Sequence, residues 1–434
     1  MVYETSMVPT AAPGDLRIVT RPGHPDFLDL PWSQPLEAWT DERIVEVAAG
    51  LHRHIVRFVH IDGRLYALKE LPPRLAEREY RVLRHMAEDG LPVVEVVGVA
   101  RRPALEDVLI TRYLEYSLPY RLLFTHRRPA VEDQSESDPH SLRGLHSRLL
   151  DSLALLLVRM HLAGFYWGDC SLSNTLFRRD AGALAAYIVD VETGEWHEEL
   201  TPGQRLTDLE LAQLNVAGGL MDLQAELDLP PDPDPVESAE RLSERYGQLW
   251  IELTEDVVIG VDERYLIEAR VRRLNELGFD VDEVELVATA RGDRLNMRTS
   301  VAEQGFHRRR LLGLTGLQAQ ENQARSLLND LNNFRAAHER DSGQPLPEAV
   351  AAYRWLNEVF QKVIDAIPDE LRSRLEPIEV FHEVIEHKWY LSEKEGHDVG
   401  VDRALRSYLS NVLPRSPAER QVLTEPDDGY MSFG

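Results

Sequence analysis

Five side chains have the types and the order along the chain for handling a phosphoryl group: Lys69, Glu79, Asp169, Asn174 and Asp190. Moving a phosphoryl group between oxygens needs a carboxylate to accept or orient the proton of the attacking hydroxyl, and oxygens that hold magnesium on the phosphates. Asp169 and Asn174, in GDCSLSN, supply a carboxylate and an amide oxygen, and Asp190, in IVDVE, supplies a second carboxylate. Magnesium takes one or two protein oxygens beside phosphate and water, which Asn174 and Asp190 provide if the fold brings them together. Lys69 sits among apolar residues in RLYALKEL. A lysine there either snorkels to the strand edge or meets an anion held against that face.

The elements needed to position these groups are legible around them. From Arg43 to Leu71, three β-branched and aromatic runs separated by Gly-bearing turns predict an antiparallel meander. Period two puts Leu65, Ala67, Lys69 and Leu71 on one face of its third strand, and Tyr66 and Leu68 on the other. Leu75 to Glu88 has helical spacing; Glu79 falls on the side of Ala76, Leu83 and Met86, whereas Glu77 falls with Arg81 and Arg84. Glu79 is then either an inward partner for Lys69 or an acid at the margin of an amphipathic stripe. Val93 to Ala100 and Asp107 to Leu114 complete a five-stranded sheet, and Leu114 to Leu118 leads into a second lobe. Ser141 to Leu162 predicts a buried helix stopped by Gly164. Thr175 to Phe177 and Leu184 to Val191, around RRDAG, form a hairpin that brings Asn174 and Asp190 to one mouth. The plain alternative is a hairpin with polar ends.

Taken in order, ALKE, the helix with Glu79, GDCSLSN and IVDVE resemble the kinase-like superfamily over about Arg43 to Glu195. The glycine before Asp169 is closer to the HGD loop of small-molecule kinases and of the lipopolysaccharide kinase (Kdo/WaaP) family than to the HRD loop of protein kinases. The chain also resembles lipopolysaccharide-kinase-like proteins of high-GC bacteria that carry a C-terminal domain of unknown function. This resemblance implies an α+β, bilobal protein-kinase-like domain, with an antiparallel sheet and one helix in the first lobe and a helical second lobe. It implies an ATP- and Mg2+-dependent phosphotransferase acting on an alcohol or similar acceptor. Lys69 would contact the α and β phosphates, Glu79 would orient it, Asp169 would act as base, and Asn174 and Asp190 would bind magnesium, with Glu192 as a third acid. Ala67 and Gly50 complete the nucleotide-binding set.

Three departures stand out. No GxGxxG covers the phosphates; the first turn has only Gly50, beside His52, Arg53 and His54, whose cationic side chains could replace backbone cradling. Trp167 stands where the family has histidine, and Val191 and Glu192 follow Asp190 where Phe and Gly are usual. The alternative reading is a nucleotide-binding pseudokinase acting as a regulatory or scaffold protein. Gly203 to Leu227 reads as helix, with Arg205 and Asp208 three apart and a Gly218–Gly219 pair that breaks it or packs closely. Without a conventional activation segment, a small molecule, a lipid-linked sugar or a partner-bound substrate is favoured over a peptide.

Composition bounds the rest. A chain of 434 residues exceeds one ordinary core, so two domains are expected. With 48 basic against 74 acidic residues and a formal charge of −26, binding to nucleic acid or anionic lipid is disfavoured. The single cysteine, Cys170, excludes an intrachain disulfide and suits a reducing cytoplasm. No export signal and no transmembrane segment are read. The expected division is a 1–36 extension, a 37–228 kinase-like domain with lobes at about 37–116 and 117–228, a 229–237 linker (LPPDPDPVE), and a 238–434 domain that selects the acceptor or a protein partner. The stretch 126–140 reads as a surface insertion.

In the last domain, Ser238 to Thr254 predicts a helix, followed by a βαββ unit: Val257 to Val261, Tyr265 to Leu277, Val284 to Ala290 and Arg294 to Ser300, with a turn at Gly292 and Asp293. Helices are expected over Arg308 to Glu339, Ala349 to Ile367 and Ile378 to Leu391, with Trp355 and Trp389 as core anchors and a mobile tail after Pro414. HEVIEH, His382 to His387, fits neither HExxH nor HxxEH; His382 with Glu386, or Glu383 with His387, is either a metal pair or a polar helix face.

Overall fold

The computed structural model describes residues 16–47, 54–125, 142–260, 263, 265–276, 279–288, 294–416 and 418–420. Gly50, the 126–140 insertion and the Gly292–Asp293 turn lie outside them. Among the described residues no helix is long and apolar enough to cross a membrane.

Six strands form the first sheet: β1 (Arg17–Thr20), β2 (Ile44–Val45), β3 (Val56–Ile61), β4 (Arg64–Leu71), β5 (Val96–Arg101) and β6 (Asp107–Arg112), in the order β1-β5-β6-β4-β3-β2. All neighbours are antiparallel. Sequence spacing gives five of these strands; β1 is the addition, drawn from the segment set aside as an extension. That segment, with the residues just after it, also covers the outer face of the sheet, where Phe27, Leu30, Trp32, Leu36 and Trp39 pack on Tyr66, Leu68, Val97 and Ile110. Tyr66 and Leu68 are the alternate face of β4, and an apolar sheet face of that size must be buried against something. Trp32 Nε1 donates to the Phe27 carbonyl at 2.7 Å, so the covering loop satisfies its own polar groups.

The inner face carries α1 (Pro73–Glu88), which buries Ala76, Glu79, Tyr80, Leu83 and Met86. After β7 (Ser117–Pro119) and α2 (Tyr120–Thr125), the long α3 (Leu142–Leu162) runs through the main core. Gly164 ends it at φ +78°, and a Cβ there would lie 2.2 Å from the His197 carbonyl oxygen, so only glycine fits. Then come β8 (Phe165–Tyr166), the hairpin β9 (Thr175–Asp180) and β10 (Ala183–Ile188), β11 (Glu195–Trp196), α4 (Pro202–Leu227) and α5 (Pro235–Thr254). Helix α4 continues through Gly218 and Gly219, and Gly219 packs on Leu172. Arg205 does not pair with Asp208; its guanidinium lies over the Trp250 ring at 4.2 Å while Asp208 turns inward. Asp234 in the Pro/Asp connector caps α5 through Val236 N and Glu237 N. Leu242 and Tyr246 of α5 join the same core as α3 and α4, so this connector links two helices of one core where the sequence places a boundary.

His146 on α3 meets the Phe124 ring edge-on at 4.9 Å, and burial lowers its pKa to about 4. The unfolded imidazole gains its proton near 6.5 and the folded one only near 4, so stability present above pH 6.5 drains away as the pH falls toward 4. Between pH 7 and pH 5 this residue is expected to remove about 2 kcal/mol. Urea midpoints of His146→Leu should fall less over that interval than those of the wild type; parallel curves would clear His146 of the effect.

Beyond α5, a three-stranded antiparallel sheet is built from β12 (Val257–Gly260), β13 (Phe279–Ala288) and β14 (Arg294–Gln304), ordered β12-β14-β13, with α6 (Tyr265–Glu276) between the first two strands. This is the expected βαββ order. A helical unit follows: α7 (Phe306–Thr315), α8 (Glu321–Ser342), α9 (Glu348–Trp355), a π turn (Leu356–Phe360), α10 (Gln361–Asp365), α11 (Pro377–Glu395) and α12 (Val401–Asn411). The single helix expected over 308–339 is broken at Gly316, which takes φ +76°. Trp355 is buried in this second core, but Trp389 is 67% exposed and anchors nothing.

This helical unit grips the turn of the β9–β10 hairpin. Asp180 is buried at the first turn of α8, accepting from Gln323 N at 2.7 Å and Asn322 Nδ2 at 2.9 Å, where unpaired helix N–H groups favour an acid. Ala181 N donates to Glu379 Oε2 at 3.0 Å, Arg178 pairs with Glu376 at 2.5 Å, and Tyr187 OH donates to Gln320 Oε1 at 2.5 Å. Burial raises the carboxyl pKa of both Asp180 and Glu379, against the pull of these donors.

Candidate functional site

A cavity of about 360 Å³ lies between the first sheet and the β9–β10 hairpin. Val56, Ala67 and Leu109 line it from the sheet and Leu176 and Val189 from the hairpin, while Lys69, Asp169, Asn174 and Asp190 converge at its polar end. The register explains the roof: Val56 pairs with Lys69 and Lys69 with Leu109, so residues two apart on each strand share the cavity face.

Lys69 Nζ donates to Asp190 Oδ2 at 2.7 Å and to Glu79 Oε1 and Oε2 at 3.2 and 3.3 Å. Its ammonium is thus tied to α1 on one side and to the far wall of the cleft on the other. Burial acts against its charge, but the Glu79 and Asp190 carboxylates outweigh it and hold Lys69 above its usual range. Glu79 is fully buried, and burial pushes its carboxyl up to about 7 against the pull of Lys69. Of the two readings of Glu79, the inward partner is the one the fold adopts.

The loop between α3 and β9 orients Asp169. Asn174 Nδ2 donates to Asp169 Oδ2 at 3.0 Å and to its carbonyl at 3.1 Å, and Asn215 Nδ2 donates to Asp169 Oδ1 at 3.2 Å. Both carboxylate oxygens are held, so the side chain has one orientation. Val189 N bonds the Asn174 carbonyl at 3.1 Å, which closes the hairpin mouth and sets Asn174 beside the strand end that carries Asp190. Glu192 N donates to Asp190 Oδ1 at 3.0 Å, and Trp167 Nε1 donates to the Asp190 carbonyl at 3.0 Å. Trp167 therefore braces the backbone of the second acid.

Beneath the loop, Asp208 is fully buried. It accepts from Trp167 N and Gly168 N, each at 2.8 Å, and lies 3.1 Å from His161 Nε2; His161 Nδ1 is 2.8 Å from Tyr246 OH. On α1, Arg78 donates to the carbonyls of Glu192 at 3.1 Å and Gly194 at 2.7 Å, tying that helix to the segment after Asp190.

The structure brings Lys69, Glu79, Asp169, Asn174 and Asp190 together, places Ala67 on the cavity roof, and sets Glu192 at the cavity wall, with Oε2 3.5 Å from His54 Nε2. Gly50 lies outside the described residues. Sequence reasoning missed Asp208, Asn215, His161, Tyr246 and Arg78. Asp208 had a signal: it is in phase with Ala212, Val216, Leu220 and Leu223 on the buried stripe of α4, as Glu79 is on α1. In HEVIEH, His382 pairs with Glu386 at 3.4 Å and meets Ser326 Oγ at 2.9 Å, Glu383 accepts from Tyr408 OH, and His387 meets Ser407 Oγ at 3.0 Å. Among the described residues no group of three or more His, Cys, Asp or Glu side chains is arranged to hold a metal. Asn174 and Asp190 form a smaller, hard-oxygen set of the kind magnesium shares with phosphate and water.

The family described as Domain of unknown function (DUF4032) matches residues 248–413, beginning near the end of α5 and ending after α12. The chain is similar to a solved structure described as WaaP in complex with acyl carrier protein, at 17% identity over 54% of this chain and 89% of that chain, with a TM-score of 0.32. At that score the likeness is loose. No curated protein matches the chain.

Proposed function

We propose that the cleft binds ATP with magnesium and transfers the terminal phosphoryl group to a hydroxyl acceptor. The observation that carries this reading is Lys69, held between Glu79 and Asp190 across the cleft from Asp169 and Asn174. The apolar part of the cavity suits a flat base, and the polar end suits phosphates. Asp169, Asp190, Glu192 and Glu79 outnumber the cations there, an arrangement that calls for a metal when a polyphosphate arrives.

In this reading Lys69 pairs with the nucleotide phosphates and Glu79 keeps it extended. Asp169 takes the proton of the acceptor hydroxyl, whose oxygen bonds to the γ-phosphorus while the bond to the bridging oxygen breaks and ADP leaves. Magnesium, held by Asn174 and Asp190, would supply neutralisation of the phosphate charge. The nucleotide-binding unit then runs from β1 to 254, since β1 joins its sheet and α5 completes its core.

Titration of the full chain with ATP and magnesium tests this. Lys69→Ala is expected to weaken binding about 10- to 100-fold, the loss of one charge-assisted contact. A wild type that binds no nucleotide ends this reading. Binding without turnover against any hydroxyl acceptor in a cell extract assigns the cleft to a regulatory or scaffold role instead.

A further inference from the structure

His54, Val56 and Phe58 face the cavity at period two along one strand line, opposite Ala67 and Lys69 of β4. Phe58 pairs with Ala67 and Val56 with Lys69, so His54 stands one cavity-facing position further on, at the end of the roof where Lys69 lies. The hydrogen bond from Glu70 N to the Ile55 carbonyl, at 3.0 Å, keeps that stretch in register beyond the strand proper. Across the gap, Glu192 Oε2 approaches His54 Nε2 at 3.5 Å, an ion-pair distance too long for a hydrogen bond. The Nε2 atom is buried and has no hydrogen-bond partner among the described residues.

A buried imidazole nitrogen that makes no hydrogen bond and lines a cleft is a donor or acceptor able to take a ligand atom. Lys69 and Glu192 line the same cavity, and Lys69 pairs with Val56, the next cavity-facing position along the strand, so a polyphosphate lying against Lys69 lies next to the His54 end of the roof. Resting on the nucleotide reading above, we propose that His54 is a phosphate-contacting residue, whose Nε2–H donates to a β- or γ-phosphate oxygen in place of its approach to Glu192. A ring with its proton on Nε2 suffices for this contact. His54 thereby supplies from a side chain what backbone N–H groups supply in a glycine-rich cradle.

The assignment separates nucleotides by their phosphates. Calorimetric titration of the full chain with ATP plus magnesium, and separately with adenosine, is expected to give about tenfold weaker ATP binding in His54→Ala with adenosine affinity unchanged. His54→Gln, which keeps an N–H donor, should recover most of the loss. Equal losses for ATP and adenosine, or no loss for either, would overturn the assignment. If ATP binding depends on Lys69 and not on His54, this inference falls alone; if the wild type binds neither ligand, the nucleotide reading falls with it.

Discussion

Asp169→Asn is expected to lower turnover of ATP by about 10²- to 10⁴-fold, the usual contribution of a positioned general base, while ATP affinity stays within a small factor of wild type. The reasoning is local. Asn174 and Asn215 each donate to one oxygen of Asp169, so an asparagine replacing it keeps its shape and one acceptor, and sets one amide against another. What disappears is the capacity to take a proton. None of the groups that would meet the phosphates changes, because Lys69 is held by Glu79 and Asp190 and not by Asp169. The measurement is a pair, magnesium-dependent ADP release and equilibrium binding on the same preparation. If release continues at the wild-type rate, Asp169 is not the base.

The second large effect is on stability. Asp208→Ala should cost about 3 to 5 kcal/mol, the range for removing one partner of a buried charged network. The carboxylate accepts from two backbone N–H groups and faces a buried imidazole, and in its absence Trp167 N, Gly168 N and His161 Nε2 would share a dry pocket without an acceptor. Unsatisfied buried donors are more costly than the bonds they once made were favourable. Asp208→Asn keeps one acceptor oxygen and should lose less than the alanine variant. Urea unfolding followed by tryptophan fluorescence reads this directly, since Trp167 lies on the affected loop. An alanine variant with the wild-type midpoint would mean that the network contributes nothing to the folded state.

How far the sequence carries depends on what each signal reports. Strand alternation put Lys69 and Ala67 on one face and Tyr66 and Leu68 on the other, and the sheet obeys it because one face meets the cavity and the other a covering layer. That covering layer was not legible. Phe27, Trp32 and Trp39 lie in loop, where no periodicity marks which face they bury. Glu79 was legible because an acid in phase with apolar residues stands out on a helix; Asp208 carried the same signal, but Arg205 three residues earlier offered an easier surface pairing. The boundary at the proline-rich connector rested on local chain stiffness, which says that a helix stops but not that a core stops. Helix α5 restarts at Pro235 and returns to the same core. Asn215 and Arg78 act across the fold on groups far away in sequence, and a single sequence has no pattern that pairs them.

The β9–β10 hairpin has its open end at Asn174 and Asp190 and its closed end in the grip of α8 and α11. Two hydrogen-bonded strands of six residues each span about 20 Å, and they bend far less readily than a loop of that length. The hairpin behaves as a surveyor's rod, with its foot set in the C-terminal helices and its sighting mark at the cleft. Where the oxygens of Asn174 and Asp190 stand is therefore surveyed from a datum that belongs to the other half of the molecule. A chain cut at the connector would keep every residue of the cleft except that point of reference.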